Sequence, residues 1–183
     1  MSYCKAIEFM SPDKKALHGA YHDNLYGFPL HDDNELFGRL LLEINQAGLS
    51  WEIILKKEAG FRQAYHNYDI SKVAAYIDSD WERLLADPGI IRNRLKISAA
   101  IENAKTILHL QKEYGSFENW LAFHHPKPKE EWVKLFKKTF KFTGAEIVNE
   151  FLMSTGYLPG AHIPQCSTYQ RVLDSSPMWA RHI

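Results

Sequence analysis

Apolar side chains along this chain recur at intervals of three and four rather than two almost throughout, which predicts an all-α fold. With Asp33 as N-cap, Leu36, Phe37, Leu40, Leu41 and Ile44 form a wide stripe that ends near Gly48. Ser50 is placed to cap a short second helix through Ile53, Ile54 and Leu55. Asp69 and Asp78 stand where caps are needed for helices carrying Val73, Ala74 and Ile77, and then Trp81, Leu84 and Leu85, with Pro88-Gly89 as the break. The longest candidate runs from about Ile91 to Tyr114, with Ile97, Ile101, Ala104 and Leu108 on one face; Gly115 ends it and Ser116 caps the next helix. Pro126-Lys127-Pro128 is the clearest loop of the second half. After it come a helix with Trp132, Leu135 and Phe136, a turn around Gly144, and a helix with Ile147, Val148, Phe151 and Leu152 that stops at Gly156. No repeat or composition break divides the chain, so residues 1–183 read as a single compact domain of two helical lobes sharing the long helix, with the cleft between them as the default site.

Composition narrows the classes. With 183 residues, 45% hydrophobic and 13% aromatic, the chain can bury a substantial core, which excludes a disordered or collagen-like polymer. Basic and acidic residues number 22 each, so an anionic partner has to be met by a local patch rather than by the global charge. No apolar run approaches the roughly 20 residues of a membrane span, and Met1-Ser2-Tyr3-Cys4-Lys5 is not the start of a signal segment. A soluble, cytoplasmic protein without a membrane partner is expected. Two cysteines exclude a disulfide framework and read as free thiols or metal ligands.

Three features carry candidate chemistry. Trp132 to Phe151 reads as helix, then Phe140-Lys141-Phe142-Thr143-Gly144, then helix, with Lys134, Lys137, Lys138 and Lys141 crowded beside a glycine-opened helix N-terminus that suits a phosphate. On this segment alone, an αα-turn with a solvated lysine face is the simpler account. Cys4, His22, His162 and Cys166 offer two thiolates and two imidazoles, a tetrahedral zinc set, with His162 and Cys166 four residues apart. Spacing alone leaves this even with two buried cysteines and scattered histidines. Leu36, Leu40 and Glu43 stand at i, i+4 and i+7, which puts a carboxylate on a stripe that otherwise faces the core. Burial and the negative end of the helix raise its pKa, and in ionised form it favours a cationic ligand. On the residues alone, a structural glutamate bonded to a tyrosine or a backbone amide is the simpler account.

The order of these features is informative. A helix containing Gln46, then Asp87-Pro88-Gly89-Ile90-Ile91-Arg92-Asn93-Arg94-Leu95-Lys96-Ile97 opening a long helix, then the hairpin, resembles the helix-hairpin-helix DNA glycosylase superfamily. More narrowly, Tyr21-His22-Asp23-Asn24, Gln46-Ala47-Gly48-Leu49-Ser50-Trp51, Gly89-Ile90-Ile91-Arg92, Lys141-Phe142 with Gly144, and the terminal Cys and His residues resemble the 3-methyladenine DNA glycosylase I family, from about Cys4 to Cys166. The resemblance implies a helix-hairpin-helix at about 130–156 and a tail at about 167–183. It further implies one structural zinc per chain, held by Cys4, His22, His162 and Cys166 and joining the two ends. Glu43 then corresponds to the base-recognising, catalytic glutamate, with Tyr21 and Trp51 completing the base pocket. Gln46, Gly48 and Leu49 fall beside the hole left by a flipped base, and Lys138, Lys141 and Gly144 fall on the DNA backbone. The implied partner is double-stranded DNA containing alkylated bases, bound by a monomer.

No aspartate occurs between Asp87 and Asp174, so the aspartate that many superfamily members place beyond the hairpin is missing, as in the methyladenine branch. Other positions depart from the family pattern. Lys5-Ala6 stands for Gly-Trp, Leu25-Tyr26 for Glu-Trp, Ile44-Asn45 for Gly-Gln, Asn149-Glu150 for Tyr-Ser, and Ala161 for Asp. These departures keep open a non-catalytic or substrate-altered lesion-binding paralogue on the same scaffold.

Overall fold

The structure is a computed structural model that describes residues 2–181; Met1 and the last two positions of the expected tail lie outside the described residues. Among the described residues every regular element is helical, as the apolar spacing predicts: α1 (Tyr3–Glu8), α2 (Pro12–Asn24), α3 (Asp33–Gln46), α4 (Trp51–Ala64), α5 (Ile70–Ala74), α6 (Asp78–Ala86), α7 (Arg94–Tyr114), α8 (Phe117–His124), α9 (Lys129–Thr139), α10 (Ala145–Ser154) and α11 (Tyr169–Asp174). Single turns of 3-10 helix lie at His66–Tyr68 and Met178–Ala180. The first two helices and the last are absent from the sequence reading.

Helix α3 is the centre of the molecule, packed on α4, α7, α8 and α10. Its residues Leu36, Phe37, Leu40, Leu41 and Ile44 are all buried, joined by Ile97, Phe117, Trp132, Phe136, Val148 and Phe151 in one apolar cluster. Phe117 stacks on Phe151 at 6.2 Å and Phe136 lies 5.6 Å from the same ring.

Several helix starts differ from expectation for identifiable reasons. Asp32, not Asp33, caps α3, its carboxylate accepting the Glu35 N–H at 3.0 Å. Asp33 is occupied elsewhere: it accepts the N–H groups of Phe117 and Glu118 at 2.8 and 3.0 Å and the Gln111 amide at 2.7 Å, closing the N-terminus of α8. Ser50 holds the N-cap position of α4 without a capping bond, and α4 runs 14 residues rather than a short turn because Phe61 and Ala64 continue its buried face. Asp78 is the first residue of α6; Asp80 accepts the Ile77 N–H from the third position. Asn93 caps α7, which therefore starts after Ile91.

Two polar grips on α7 tie the core to the surface. The buried Lys96 ammonium donates to the carbonyls of Asn45 and Ala47 at 2.8 and 2.7 Å, satisfying the C-terminal end of α3. Seven residues on, Asn103 accepts the Lys141 N–H at 2.7 Å and donates to the Lys141 carbonyl at 3.1 Å, pinning the turn between α9 and α10.

Candidate active site

Residues far apart in sequence meet in one Cys/His cluster. Cys4 comes from α1, His22 from the last turn of α2, and His162 and Cys166 from the loop between α10 and α11; their donor atoms all lie within 4.8 Å of one another. His162 Nδ1 is 3.7 Å from the Cys4 sulfur and 3.6 Å from that of Cys166, and His22 Nε2 is 3.8 Å from Cys166. A tetrahedron with metal–ligand bonds of about 2.0–2.3 Å has edges of roughly 3.3–3.8 Å, so the spacing suits one ion. The outer ring nitrogens are engaged as well: His162 Nε2 donates to the Tyr26 carbonyl at 2.7 Å and His22 Nδ1 to the Asp23 carboxylate at 2.6 Å. Each imidazole therefore turns its free lone pair toward the thiols, the arrangement a metal-binding histidine needs. Gly27, at φ +87°, lets the chain pass this cluster; a Cβ there would meet Ala161 Cβ at 2.8 Å and the His162 ring at 3.3 Å.

In front of the cluster is a cavity of about 660 Å³ walled by Tyr3, Ala6, Tyr21, Tyr26, Glu43, Gln46, Trp51 and Glu150, within the usual range for a ligand site. Tyr21 and Tyr26 reach it from the end of α2 and the turn after it, Glu43 from α3, Trp51 from the first residue of α4, and Glu150 from α10. The Tyr21 and Trp51 rings are 5.1 Å apart at 57°. The Trp51 indole N–H is buried without a hydrogen-bond partner among the described residues, an unmet donor at the cavity wall.

Glu43 is 4% exposed. Burial pushes its carboxyl up to about 8; Arg39 opposes the shift and Glu150 adds to it. Arg39 is a site residue that sequence reading missed. It donates to the Tyr21 hydroxyl at 3.2 Å and the Ser154 carbonyl at 3.3 Å, with its guanidinium 5.1 Å from the Tyr21 ring centre. The available signal was its position four residues before Glu43 on the same buried stripe. Tyr3 was also missed, since nothing near it in sequence marks a pocket.

The remaining candidate residues fall at two places. Gln46 lines the cavity and donates to the Leu49 carbonyl at 2.9 Å, Gly48 is the exposed tip of that turn at φ +80°, and Leu49 packs partly against the core. Lys138 and Lys141 are exposed beside the second turn, where Phe142 sits at φ +60° and Gly144 is the N-cap of α10. One helix joins the two places, because α10 starts at this hairpin and carries Glu150 along the cavity.

The sequence model of the methyladenine glycosylase family matches residues 11–169. The chain belongs to that family. The DNA-3-methyladenine glycosylase 1 of Escherichia coli is 36% identical over 172 residues, 84% of this chain and 91% of that protein. The DNA-3-methyladenine glycosylase of Haemophilus influenzae is 33% identical over 165 residues, covering 80% and 89%. Among solved structures, a variant of 3-methyladenine DNA glycosylase I in complex with 3-methyladenine superposes with a TM-score of 0.79 at 31% identity, covering 92% of this chain and 97% of the other. The Staphylococcus aureus glycosylase gives 0.75 at 32% identity over 83% and 90%. Membership in the methyladenine glycosylase family agrees with the motifs that pointed to it, and among the described residues no helix is long and apolar enough to cross a membrane.

Proposed function

We propose that this protein is a monofunctional DNA glycosylase that hydrolyses the N-glycosidic bond of 3-methyladenine in alkylated duplex DNA. The observation that carries this reading is the buried Glu43 in an aromatic-walled cavity, in a chain of this family. An adenine methylated at N3 is a cation while it is attached to the sugar. In the empty pocket Glu43 keeps its proton at neutral pH, because burial disfavours its charge. A cationic base makes the carboxylate favourable and gains a charge-assisted contact, whereas a neutral base gains none. Trp51 and Tyr21 offer aromatic faces to the electron-poor ring.

Cleavage then needs little from the protein. The C1′–N9 bond breaks with its electron pair moving to the base, which leaves neutral; water adds to the sugar cation at C1′ and loses a proton to solvent. This is consistent with the lack of any aspartate between Asp87 and Asp174. Turning the base out costs a few kcal/mol, and the turn at Gln46, Gly48 and Leu49 is the segment placed to occupy the gap. The amides at the start of α10, with Lys138 and Lys141, hold phosphates.

Cys4, His22, His162 and Cys166 would hold one zinc ion as a closed four-ligand cross-link that leaves no position for substrate or water. We further read the protein as a monomer of the cytoplasm, a reducing compartment in which both thiols remain ligands.

The test is Glu43→Gln. Release of free 3-methyladenine from alkylated duplex DNA is expected to fall by about 10²–10³, the usual cost of one buried electrostatic contact, with helix content, metal content and affinity for undamaged duplex retained. Release at the parent rate would overturn the reading.

A further inference from the structure

Tyr26 and Glu150, two of the positions that depart from the family pattern, lie 124 residues apart in sequence and touch: the Tyr26 hydroxyl donates to Glu150 Oε2 at 3.1 Å. Neither residue is free to drift. The Tyr26 backbone is held on both sides, its N–H donating to the Tyr21 carbonyl at 3.0 Å and its carbonyl accepting from His162. Glu150 is half-buried in the middle of α10, one turn below the exposed Glu146. No ion pair reaches Glu150 among the described residues; the Tyr26 hydroxyl holds it, while the neighbouring Asn149 amide donates to the Met153 sulfur at 3.7 Å. Three carboxylates line the cavity: the exposed Glu146, and two that are at least partly buried, Glu43 on α3 and Glu150 on α10, while the buried Arg39 guanidinium beside them is spent on Tyr21 and the Ser154 carbonyl. Ala6 contributes only a methyl group to the wall of this cavity, whose volume of about 660 Å³ is enough for a purine.

A single carboxylate selects a cation but grips one edge of it. A second one, with acceptor capacity left after the Tyr26 contact, suits a purine that also presents adjacent N–H donors, as the N1–H and exocyclic amine of guanine do and adenine does not. We propose that Glu150, positioned by Tyr26, is a second specificity-determining carboxylate of the base pocket, and that it extends the pocket to methylated guaninium bases as well as methylated adeninium. This rests on the glycosylase reading above and names the substrate class of the same site.

The probes are 3,9-dimethyladeninium and 7,9-dimethylguaninium, used at about pH 6 so that the guaninium keeps its N1 proton and its charge, each compared with its neutral 9-methyl counterpart by intrinsic tryptophan fluorescence or by calorimetry. The parent protein is expected to bind both cations about tenfold or more better than the neutral forms, the lower range for a charged hydrogen bond. Glu150→Gln is expected to lower the guaninium preference about tenfold, and to lower it more than the adeninium preference. Tyr26→Phe should move the same ratio in the same direction by less, a change in selectivity that loss of packing alone does not produce. Failure of the parent to bind 7,9-dimethylguaninium, or an unchanged guaninium ratio in Glu150→Gln, overturns the proposal. If Glu43→Gln still abolishes release of 3-methyladenine in that case, the glycosylase reading stands without it; if the parent releases no base and binds no cation, both fall.

Discussion

The molecule buries two clusters of aromatic rings, and they are built in opposite ways. Around Phe117, Phe136 and Phe151 the rings stack and pack edge to face with little to satisfy but shape. Around Tyr21, Tyr26 and Trp51 the rings share space with a guanidinium, three carboxylates and the metal-type cluster behind them. Burying unmet polarity costs free energy, so the second cluster would be the worse solution if folding were its sole task. The contrast separates stability from selectivity, and each region should answer to a different kind of perturbation.

The largest effect should come from the support behind the polar cluster. Stripping the metal with a chelator, or Cys166→Ala, should cost about 4 kcal/mol or more once free metal exceeds a thousand times its dissociation constant. For a chain of this size that is roughly 8–16 °C in melting temperature. Elemental analysis of protein prepared without chelator should find one zinc per chain; none would break the link between this cluster and the fold. Next, Phe151→Ala in the apolar cluster should cost about 3–5 kcal/mol by denaturant titration and leave the ratio of cation to neutral binding untouched. A changed ratio would show that the two clusters are not independent.

The third effect is the most specific. The folded protein keeps the Glu43 proton up to about pH 8, whereas the carboxyl ordinarily loses it near 4.5. Between those values the folded state binds more protons than the unfolded one. The group's contribution is therefore fully present below about 4.5 and is lost as pH rises through about 8, with a slope of at most about 1.4 kcal/mol per pH unit. Glu43→Gln should flatten that part of the stability profile and be more stable than the parent at pH 9, even as it loses base release. Parallel profiles would mean that the carboxyl titrates as an exposed one.

How much of this could be read from sequence depended on whether the cause was local. The stripe on α3 was legible because helical spacing exposes a face, and Glu43 stood out as the charge on it. The cap at Asp33 was misplaced by one residue because two adjacent aspartates compete for one local role, and the winner was decided by an N-terminus 84 residues away at Phe117. Arg39 was hidden for a similar reason, since its partners, Tyr21 and the Ser154 carbonyl, come from separate helices. Tyr26 and Glu150 appeared as two unrelated departures, and only the fold makes them one contact.

The two grips on α7 have a mechanical consequence. Lys96 clasps the turn below the cavity and Asn103 clasps the hairpin, and seven residues of helix separate them, about 10.5 Å along the axis. The helix works as a caliper with fixed jaws: it sets the span between the two contact turns and their relative heading. Lengthening it by a single residue would swing one jaw about 100° around the axis from the other, leaving each turn intact and the pair unable to address one object together.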